Sequence, residues 1–220
     1  MTVAEQIRRL IDAGVAQLAD VTPISLANLA DGLSDEPGGV VAVNSSLVPA
    51  RELATLLRRD DKPGFVVTDL IDLESFVAIE GIEIPDTPLY LLHDVNRGDD
   101  MRNWTPNEVR PVLAQLGRTP LTINEGISWL LQAPRFLEPN HCFMTIGSRK
   151  PKGNHLDSRT PAIWISGGTG RDEKVNKGAP KVGWCWADNR HTWLGFAHAR
   201  TRSPLTGAFL GRRSESTSVA

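Results

Sequence analysis

The pattern of apolar residues changes at Pro139, and this change most constrains how the chain folds. Before Pro139, three segments begin with a capping box, in which a Thr side chain accepts from an early helical amide and a Glu reaches back to the Thr amide. The boxes lie at residues 2–5, 105–108 and 122–125. After Pro139, apolar residues come in short runs separated by turn residues, which is typical of strands. This order predicts an α+β fold rather than a regularly wound α/β sheet.

Four helices are predicted from these start signals. Apolar residues at helical spacing after the first box predict a helix over residues 3–19, although it contains a glycine. Pro49 suits a first helical position and predicts a second helix over residues 49–59. The second box predicts a helix that ends at Gly117, and the third predicts one that ends before Pro134.

The strand-type runs complete the expected fold. They are "GFVVTDL" and "TPLYLLHDV" before Pro139, and "HCFMTIGS", "PAIWIS", "KVGWCWA" and "TWLGFAHA" after it. We therefore expect N-terminal helices with short strands, followed by an antiparallel C-terminal sheet with a Trp-rich hairpin. A single globular domain over residues 1–205 is predicted, which composition divides into a helical, acidic portion (1–138) and a β, basic portion (139–205). Residues 206–220 have no apolar face, so we expect a disordered tail.

The predicted hairpin lies within "KVGWCWADNRHTWLGFAHA". Residues 188–191 are its natural four-residue turn, since Asp and Asn favour turns. This register places Trp186 opposite Trp193, and alternation places Trp184 on the same face and Cys185 on the other. The tryptophan face fits packing in a core or interface, and it also fits a stacking platform for a base, a sugar or a proline-rich peptide.

Charge is distributed unevenly along the chain. Residues 1–140 contain 11 Lys and Arg against 21 Asp and Glu, whereas residues 141–220 contain 13 against 5, so that −10 and +8 sum to the net charge of −2. Clustered cations in the basic loops 149–181 fit an anionic partner, with nucleic acid as one candidate. The same imbalance also fits two halves that attract each other, or basic loops that are simply solvated.

The chain lacks sequence features of secreted and membrane proteins. No run approaches the roughly 18 apolar residues of a membrane span, and the N-terminus has no signal-peptide core. Its two cysteines are 43 positions apart, so they form no CxxC motif. We expect a cytoplasmic protein that makes no membrane contact.

A metal site is not predicted. In the hairpin register, Cys185 and His198 share a face but lie on the order of 13 Å apart, which is too far for one zinc ion. Glu125 is explained by its capping box and need not be a catalytic acid. No motif indicates a cofactor, because "ISGGTG" lacks the Lys and Ser or Thr of a phosphate loop.

Several segments together resemble a known family. The segments "LLHDVNRGDDMRNWTPNE", "GRTPLTINEGI", "HCFMTIGSR", "PAIWIS", "GWCW" and "HTWLG", in this order, resemble an actinobacterial family of unknown function, number 5701. The resemblance covers roughly residues 40–200, and "GWCWADNRHTWLG" is its most specific part. It implies a cytosolic actinobacterial protein and supplies no activity, cofactor or catalytic residue. This chain departs from the family pattern at His198, where members have a cysteine, and in its longer basic loops.

Three functional hypotheses follow. The leading one is a binding module that meets an anionic or aromatic partner through the C-terminal sheet. The residues expected to bind are Arg149, Trp186, Asn189, Arg190, His191 and Trp193. The first alternative is a hydrolase-type enzyme that uses His191, Cys185 and Asp188 in a cleft. The second is a structural or assembly protein whose tryptophan face is buried against another subunit, so an oligomer is also considered.

Overall fold

The structure is a computed structural model that describes residues 1–31 and 39–211. Its α-helices are α1 (Val3–Ala13), α2 (Val15–Leu18), α3 (Pro23–Ala27), α4 (Ala50–Ala54), α5 (Pro106–Gln115) and α6 (Ile123–Gln132). Short 3-10 helices lie at Asn28–Ala30, Leu73–Ser75, Asp99–Met101, Pro134–Phe136, Gly170–Asp172 and Lys174–Asn176.

The strands of the first half are β1 (Val40–Val43), β2 (Arg58–Arg59), β3 (Lys62–Pro63), β4 (Phe65–Val66), β5 (Val77–Ala78), β6 (Leu89–His93) and β7 (Thr119–Pro120). Those of the second half are β8 (Cys142–Met144), β9 (Ser148–Arg149), β10 (Pro151–Lys152), β11 (His155–Leu156), β12 (Arg159–Ile165), β13 (Pro180–Trp186), β14 (Leu194–Phe196), β15 (His198–Ala199) and β16 (Thr201–Pro204).

The predicted α+β class is confirmed, and two sheets form its framework. The larger sheet has the order β14-β8-β12-β13-β4, and its long strand β12 is antiparallel to both neighbours. Its edge strands β14 and β4 run parallel to β8 and β13. The smaller sheet, β1-β6-β16, is antiparallel, and its third strand comes from the end of the domain.

The first predicted helix is interrupted at Gly14. All three capping boxes are present as predicted, but α1 ends where Gly14 adopts a φ of 111°, and α2 follows as a separate short helix. This left-handed conformation suits glycine, because it has no Cβ. The prediction of a continuous helix over residues 3–19 is therefore wrong at one residue.

The second predicted helix is shorter than expected. Pro49 is the N-cap residue of α4 rather than its first helical residue, and the helix ends at Ala54. The charged residues that follow form the hairpin of β2 and β3, whose turn includes Asp60 with a φ of 52°. Because Asp tolerates the left-handed region, the chain reverses here instead of continuing as a helix.

The predicted Trp-rich hairpin is wrong. β13 does not pair with β14: one edge pairs with β12 over seven residues and the other with β4, while β14 pairs with β8. Trp186 therefore lies opposite Arg159. Neighbouring strands usually pair, but here the longer pairing with β12 occupies that edge. Residues 187–193 then cross three strand positions, roughly 14 Å, which seven residues can span.

Helix α6 is the centre of the core. All of its residues except Leu131 are buried, and it packs against β1, β12, α1 and α4. It approaches the larger sheet closely at Gly126, where an added Cβ would lie 2.6 Å from Cγ2 of Thr145. A helix buried on every side must satisfy its polar groups inside the protein.

The polar side chains of α6 bind the edge strand β1. The backbone N–H of Val43 donates to Oγ of Ser128 at 3.0 Å, and Nε2 of Gln132 donates to the carbonyl of Val41 at 2.6 Å. The N–H of Val41 donates to Oε1 of Gln6 in α1 at 2.8 Å. These side chains replace a missing neighbouring strand, so the edge is buried without unpaired backbone groups.

Glu125 connects α6 to the smaller sheet. Its carboxylate has no exposed surface. Oε1 accepts from the hydroxyl of Tyr90 (2.9 Å) and Nε of Arg202 (2.6 Å), and Oε2 accepts from Nη2 of Arg202 (2.8 Å) and the N–H of Thr122 (2.7 Å). The capping role predicted for Glu125 is confirmed, and a buried ion pair is added to it.

The end of the domain is described only in part. Phe209 packs against the core, and the N–H of Leu210 donates to Oγ of Ser25 at 3.0 Å. Of the predicted tail, residues 212–220 lie outside the described residues. Within residues 1–31 and 39–211, no helix is long and apolar enough to cross a membrane.

Replacing Glu125 by Gln should destabilise the fold strongly. The variant leaves the guanidinium of Arg202 buried without a counter-charge, and breaking a buried pair in this way costs about 3–5 kcal/mol. Urea unfolding followed by circular dichroism measures the change. The matched control is Glu108→Gln, because Glu108 occupies the same position of an exposed capping box. Equal shifts of the two midpoints would contradict the role given to Glu125.

Candidate functional site

The turn that we expected to meet a partner is held against the start of α5. Nδ2 of Asn107 donates to Oδ1 of Asp188 at 2.8 Å. Arg190 forms an ion pair with Glu108, and its Nη1 donates to the carbonyl of Asn103 at 2.7 Å. Residues 188–190 are nevertheless exposed, so the turn is fixed in place and open to solvent.

The tryptophans divide into two groups. Trp184 and Trp186 meet edge to face, with ring centroids 4.5 Å apart, and Trp186 is 46% exposed. Trp193 instead contacts Trp164 at 6.1 Å and His191 at 5.4 Å. The predicted pair of Trp186 and Trp193 does not form, because Trp186 ends β13, Trp193 precedes β14, and two other strands lie between β13 and β14 in the larger sheet.

Arg149 lies apart from these aromatic groups and is almost fully buried, with 3% of its surface exposed. Nη2 donates to the carbonyl of Asp157 at 2.8 Å, whereas Nε and Nη1 have no partner among the described residues. Burial lowers the pKa of Arg149, Arg110 lowers it further, and Asp157 and Asp188 act in the opposite direction.

Several cations of the second half pair with acids of the first half. Lys150 and Arg159 bind Asp72, each at 2.7 Å, and Arg171 binds Asp69. Further pairs of this kind are Arg190 with Glu108, Arg200 with Asp94 and Arg202 with Glu125. The interpretation that the two halves attract each other is confirmed by these pairs. The loops retain exposed lysines at 152, 174 and 177.

The residues of the enzyme hypothesis have separate environments. Cys185 lies opposite Thr160 in the larger sheet, His191 packs against Trp193, and Asp188 accepts from Asn107. None of the hydrogen bonds in the described part of the chain joins these three residues. Burial raises the pKa of Cys142 and of Cys185 to about 11, so neither is a thiolate near neutral pH.

His198 is engaged by an arginine. Its Nδ1 accepts from Nε of Arg118 at 2.6 Å. Burial and the charge of Arg118 lower the pKa of His198 to about 4, so the ring is neutral near pH 7. In the described ranges, no group of three or more His, Cys, Asp and Glu side chains is arranged as a metal site.

A cavity of about 260 Å³ lies at the N-terminal end of α6. It was not predicted from the sequence. Its walls are apolar side chains from several separate segments, which are Pro49, Ala50, Leu73, Phe76, Val77, Ala78, Ile84 and Ile123. Its polar lining is Ser45, Glu74, Tyr90, Thr122, Asn124 and Ser148. The capping box at residues 122–125 marks the start of α6, and no local pattern marks the other walls.

Hydrogen-bonding groups of two buried residues meet this cavity. Ser148 accepts from the N–H of Ile123 at 2.9 Å, which leaves its hydroxyl proton free to donate. Nδ2 of Asn124 donates to the carbonyl of Val48 at 2.9 Å, and its backbone N–H belongs to the first turn of α6, where amides have no carbonyl partner within the helix. These donors lie at a helix N-terminus, where the backbone dipoles favour negative charge.

Tyr90 also lines the cavity, but its hydroxyl is already hydrogen-bonded to another residue of the protein. Its hydroxyl donates to Glu125 behind the cavity wall, and Tyr90 is 1% exposed. Burial and the carboxylate of Glu125 raise its pKa well above the ordinary value of tyrosine. Tyr90 therefore holds the wall and does not act as an acid or base.

Comparison with known proteins gives one match. The model of a family described as "Family of unknown function (DUF5701)" matches residues 9–205. Neither the curated proteins nor the solved structures include a match to this chain.

Both thiols should be unreactive in the folded protein. Because each has a pKa of about 11, iodoacetamide at pH 8 should leave Cys142 and Cys185 unmodified for hours and should alkylate both in guanidinium chloride. Mass spectrometry of the intact protein counts the adducts. Rapid single alkylation of the folded chain at Cys185 would revive the enzyme hypothesis.

His198 should make the fold sensitive to mild acid. Its pKa is about 4 in the folded state against about 6.5 in an unfolded chain, so the unfolded state takes up the proton first. The contribution of His198 to the free energy of unfolding is fully present above pH 6.5. As the pH drops to 4, the free energy of unfolding should fall by about 3 kcal/mol. The His198→Asn variant keeps an acceptor for Arg118 without titrating, so urea unfolding should show a smaller pH dependence in this variant. An identical pH dependence in both proteins would contradict the assignment.

Proposed function

The chain belongs to DUF5701, a family of unknown function, and we propose that it is a binding protein whose ligand is a small amphipathic acid. The observation that carries this proposal is the apolar cavity at the N-terminal end of α6, which Thr122, Ile123 and Asn124 of that helix start line. Apolar pockets with a few placed polar groups are the usual form of small-molecule sites.

The apolar walls set the size and character of the ligand. A cavity of about 260 Å³ is somewhat larger than one of about 150 Å³ that holds benzene. It therefore suits a molecule of roughly ten non-hydrogen atoms. Phe76, Leu73 and Ile84 line the cavity and offer contacts for an aromatic ring or a short alkyl chain.

The polar groups favour a head group that accepts hydrogen bonds. The N–H of Asn124 and the hydroxyl of Ser148 are both donors, and both belong to buried residues. A carboxylate would accept from them and would interact favourably with the N-terminal end of α6. Glu74, the carboxylate that lines the cavity, forms an ion pair with Arg51 at 3.1 Å, which lessens its repulsion of an acid.

This proposal retains part of the expectation from the sequence. The partner is still anionic, but the proposed site is the cavity at the N-terminal end of α6 rather than the tryptophan face. Ser148 is the contribution of the C-terminal half. A cytoplasmic location in an actinobacterium, as the family resemblance implies, belongs to the same proposal. The enzyme hypothesis gains no supporting contact from the described residues.

A matched pair of probes tests the proposal. In ¹H–¹⁵N NMR titrations, 3-phenylpropanoate should shift the amide signal of Asn124 in a saturable manner, whereas 3-phenylpropylamine of similar size should not. The Ala78→Leu variant fills the cavity and should weaken binding of the acid by about tenfold or more. Ala13→Leu makes the same change on α1, away from the cavity, and should bind as the wild type does.

Two results would overturn the proposal. One is the absence of any saturable shift in the cavity amides at millimolar acid. The other is equal binding of the acid and the amine, or equal binding by Ala78→Leu and the wild type. Either result would mean that the cavity is not the site of an acidic ligand.

A further inference from the structure

The side-chain amide of Asn124 has an open acceptor at the cavity at the start of α6. Asn124 lines this cavity and is 5% exposed. Its Nδ2 donates to the carbonyls of Val48 at 2.9 Å and of Val43 at 3.4 Å, which fixes the orientation of the amide. Its Oδ1 accepts from no donor among the described residues. Because buried polar groups are normally hydrogen-bonded, this oxygen favours a ligand that carries an N–H group.

A carboxylate with a free oxygen lines the same cavity. Oε1 of Glu74 accepts from Nε of Arg51 at 3.1 Å, whereas Oε2 has no hydrogen-bond donor in residues 1–31 and 39–211. The side chain of Asn124 is held by Val48 and that of Glu74 by Arg51, so both acceptors are anchored to residues 48–51. Together they offer an ammonium group one charged and one neutral acceptor.

A donor for a carboxylate adjoins these acceptors. Oγ of Ser148 accepts from the N–H of Ile123, the residue that precedes Asn124 in α6, and its own proton remains available. An α-amino acid has its ammonium and carboxylate groups on the same carbon, so it requires an acceptor and a donor side by side. Asn124 and Ser148 provide this arrangement at the N-terminal end of α6, where the backbone dipoles favour the carboxylate.

We propose that the ligand of this cavity is a free α-amino acid with an aromatic or branched apolar side chain, an inference that rests on the proposed function. Its carboxylate accepts from Ser148, and its ammonium group donates to Asn124 and Glu74. Its side chain packs against Leu73 and Phe76 of the apolar wall. The cavity of about 260 Å³ has room for a side chain of the size of benzene, which fills about 150 Å³.

The cavity opens to solvent on the side of Glu74. The side chain of Glu74 is 47% exposed and Val77 is 51% exposed, whereas Asn124 and Ser148 are buried. A ligand therefore enters past Glu74 and reaches the buried donor and acceptor at the start of α6. The ammonium group then lies between a buried amide and a carboxylate at the entrance, and the charges of ligand and site are matched.

Ligands that share one aromatic ring test the two charges separately. L-Phenylalanine should bind about tenfold or more tightly than 3-phenylpropanoate, which lacks the ammonium group. L-Phenylalaninamide, which lacks the carboxylate, should bind about tenfold or more weakly than L-phenylalanine. Because three separate contacts hold the ligand, D-phenylalanine should bind with a different affinity. ¹H–¹⁵N NMR titrations that follow the amide signal of Asn124 measure all four affinities.

Glu74→Gln distinguishes recognition of the ammonium group from a structural role. Because Glu74 is exposed, the variant should fold as the wild type does. It should weaken the binding of L-phenylalanine by about threefold or more and should not weaken that of 3-phenylpropanoate. The physical reason is that the carboxylate attracts the ammonium group and repels the acid. The matched control is Glu52→Gln, an exposed position of α4 outside the cavity, which should keep the preference for L-phenylalanine.

The outcomes distinguish this inference from the proposed function. Saturable binding of 3-phenylpropanoate without tighter binding of L-phenylalanine overturns the inference and leaves the proposed function intact. Binding of neither ligand overturns both. Equal affinities for the two enantiomers, or an equal loss of L-phenylalanine and 3-phenylpropanoate in Glu74→Gln, would also overturn the inference, because the ammonium group is then not recognised.

Discussion

A single buried carboxylate, that of Glu125, connects the parts of this fold. It caps α6 through Thr122, pairs with Arg202 of β16 and accepts from Tyr90 of β6. A carboxylate with no exposed surface is stable only when its charge and hydrogen-bonding sites are matched inside the protein. Residues that are 77 positions apart in sequence are thereby fixed to the same helix end. Strand β16, the last strand of the described residues, is thus held to the central helix.

The burial of α6 imposes the second constraint. A helix that is enclosed between two sheets cannot expose its polar side chains, and here they bind the backbone of β1. The edge strand and the helix therefore satisfy each other, without a fourth strand. At the N-terminal end of α6 lies the cavity that Ile123 and Asn124 line. The proposed ligand site is a consequence of the same burial that holds the core.

Charge in this protein is organised mainly within the chain. The acidic first half and the basic second half are joined by ion pairs, several of which are partly exposed and individually weak. The positive charge of the second half, which in the sequence fits an anionic partner, is thus largely neutralised within the folded chain. Among the described residues, Arg149 is an exception, since its side chain is buried and has no carboxylate hydrogen-bonded to it.

Features that depend on neighbouring residues could be predicted from the sequence. The three capping boxes and the strand-type runs correctly gave α5, α6 and the main strands, because caps and alternation act within a few residues. The left-handed conformation of Gly14 and the pairing of β13 with β12 instead of β14 were determined only by the tertiary structure. So were the cavity, whose walls are distant in sequence, and the burial of Arg149. The physical reason is that strand pairing and burial depend on competition among all segments for the same core, and no local pattern records its outcome.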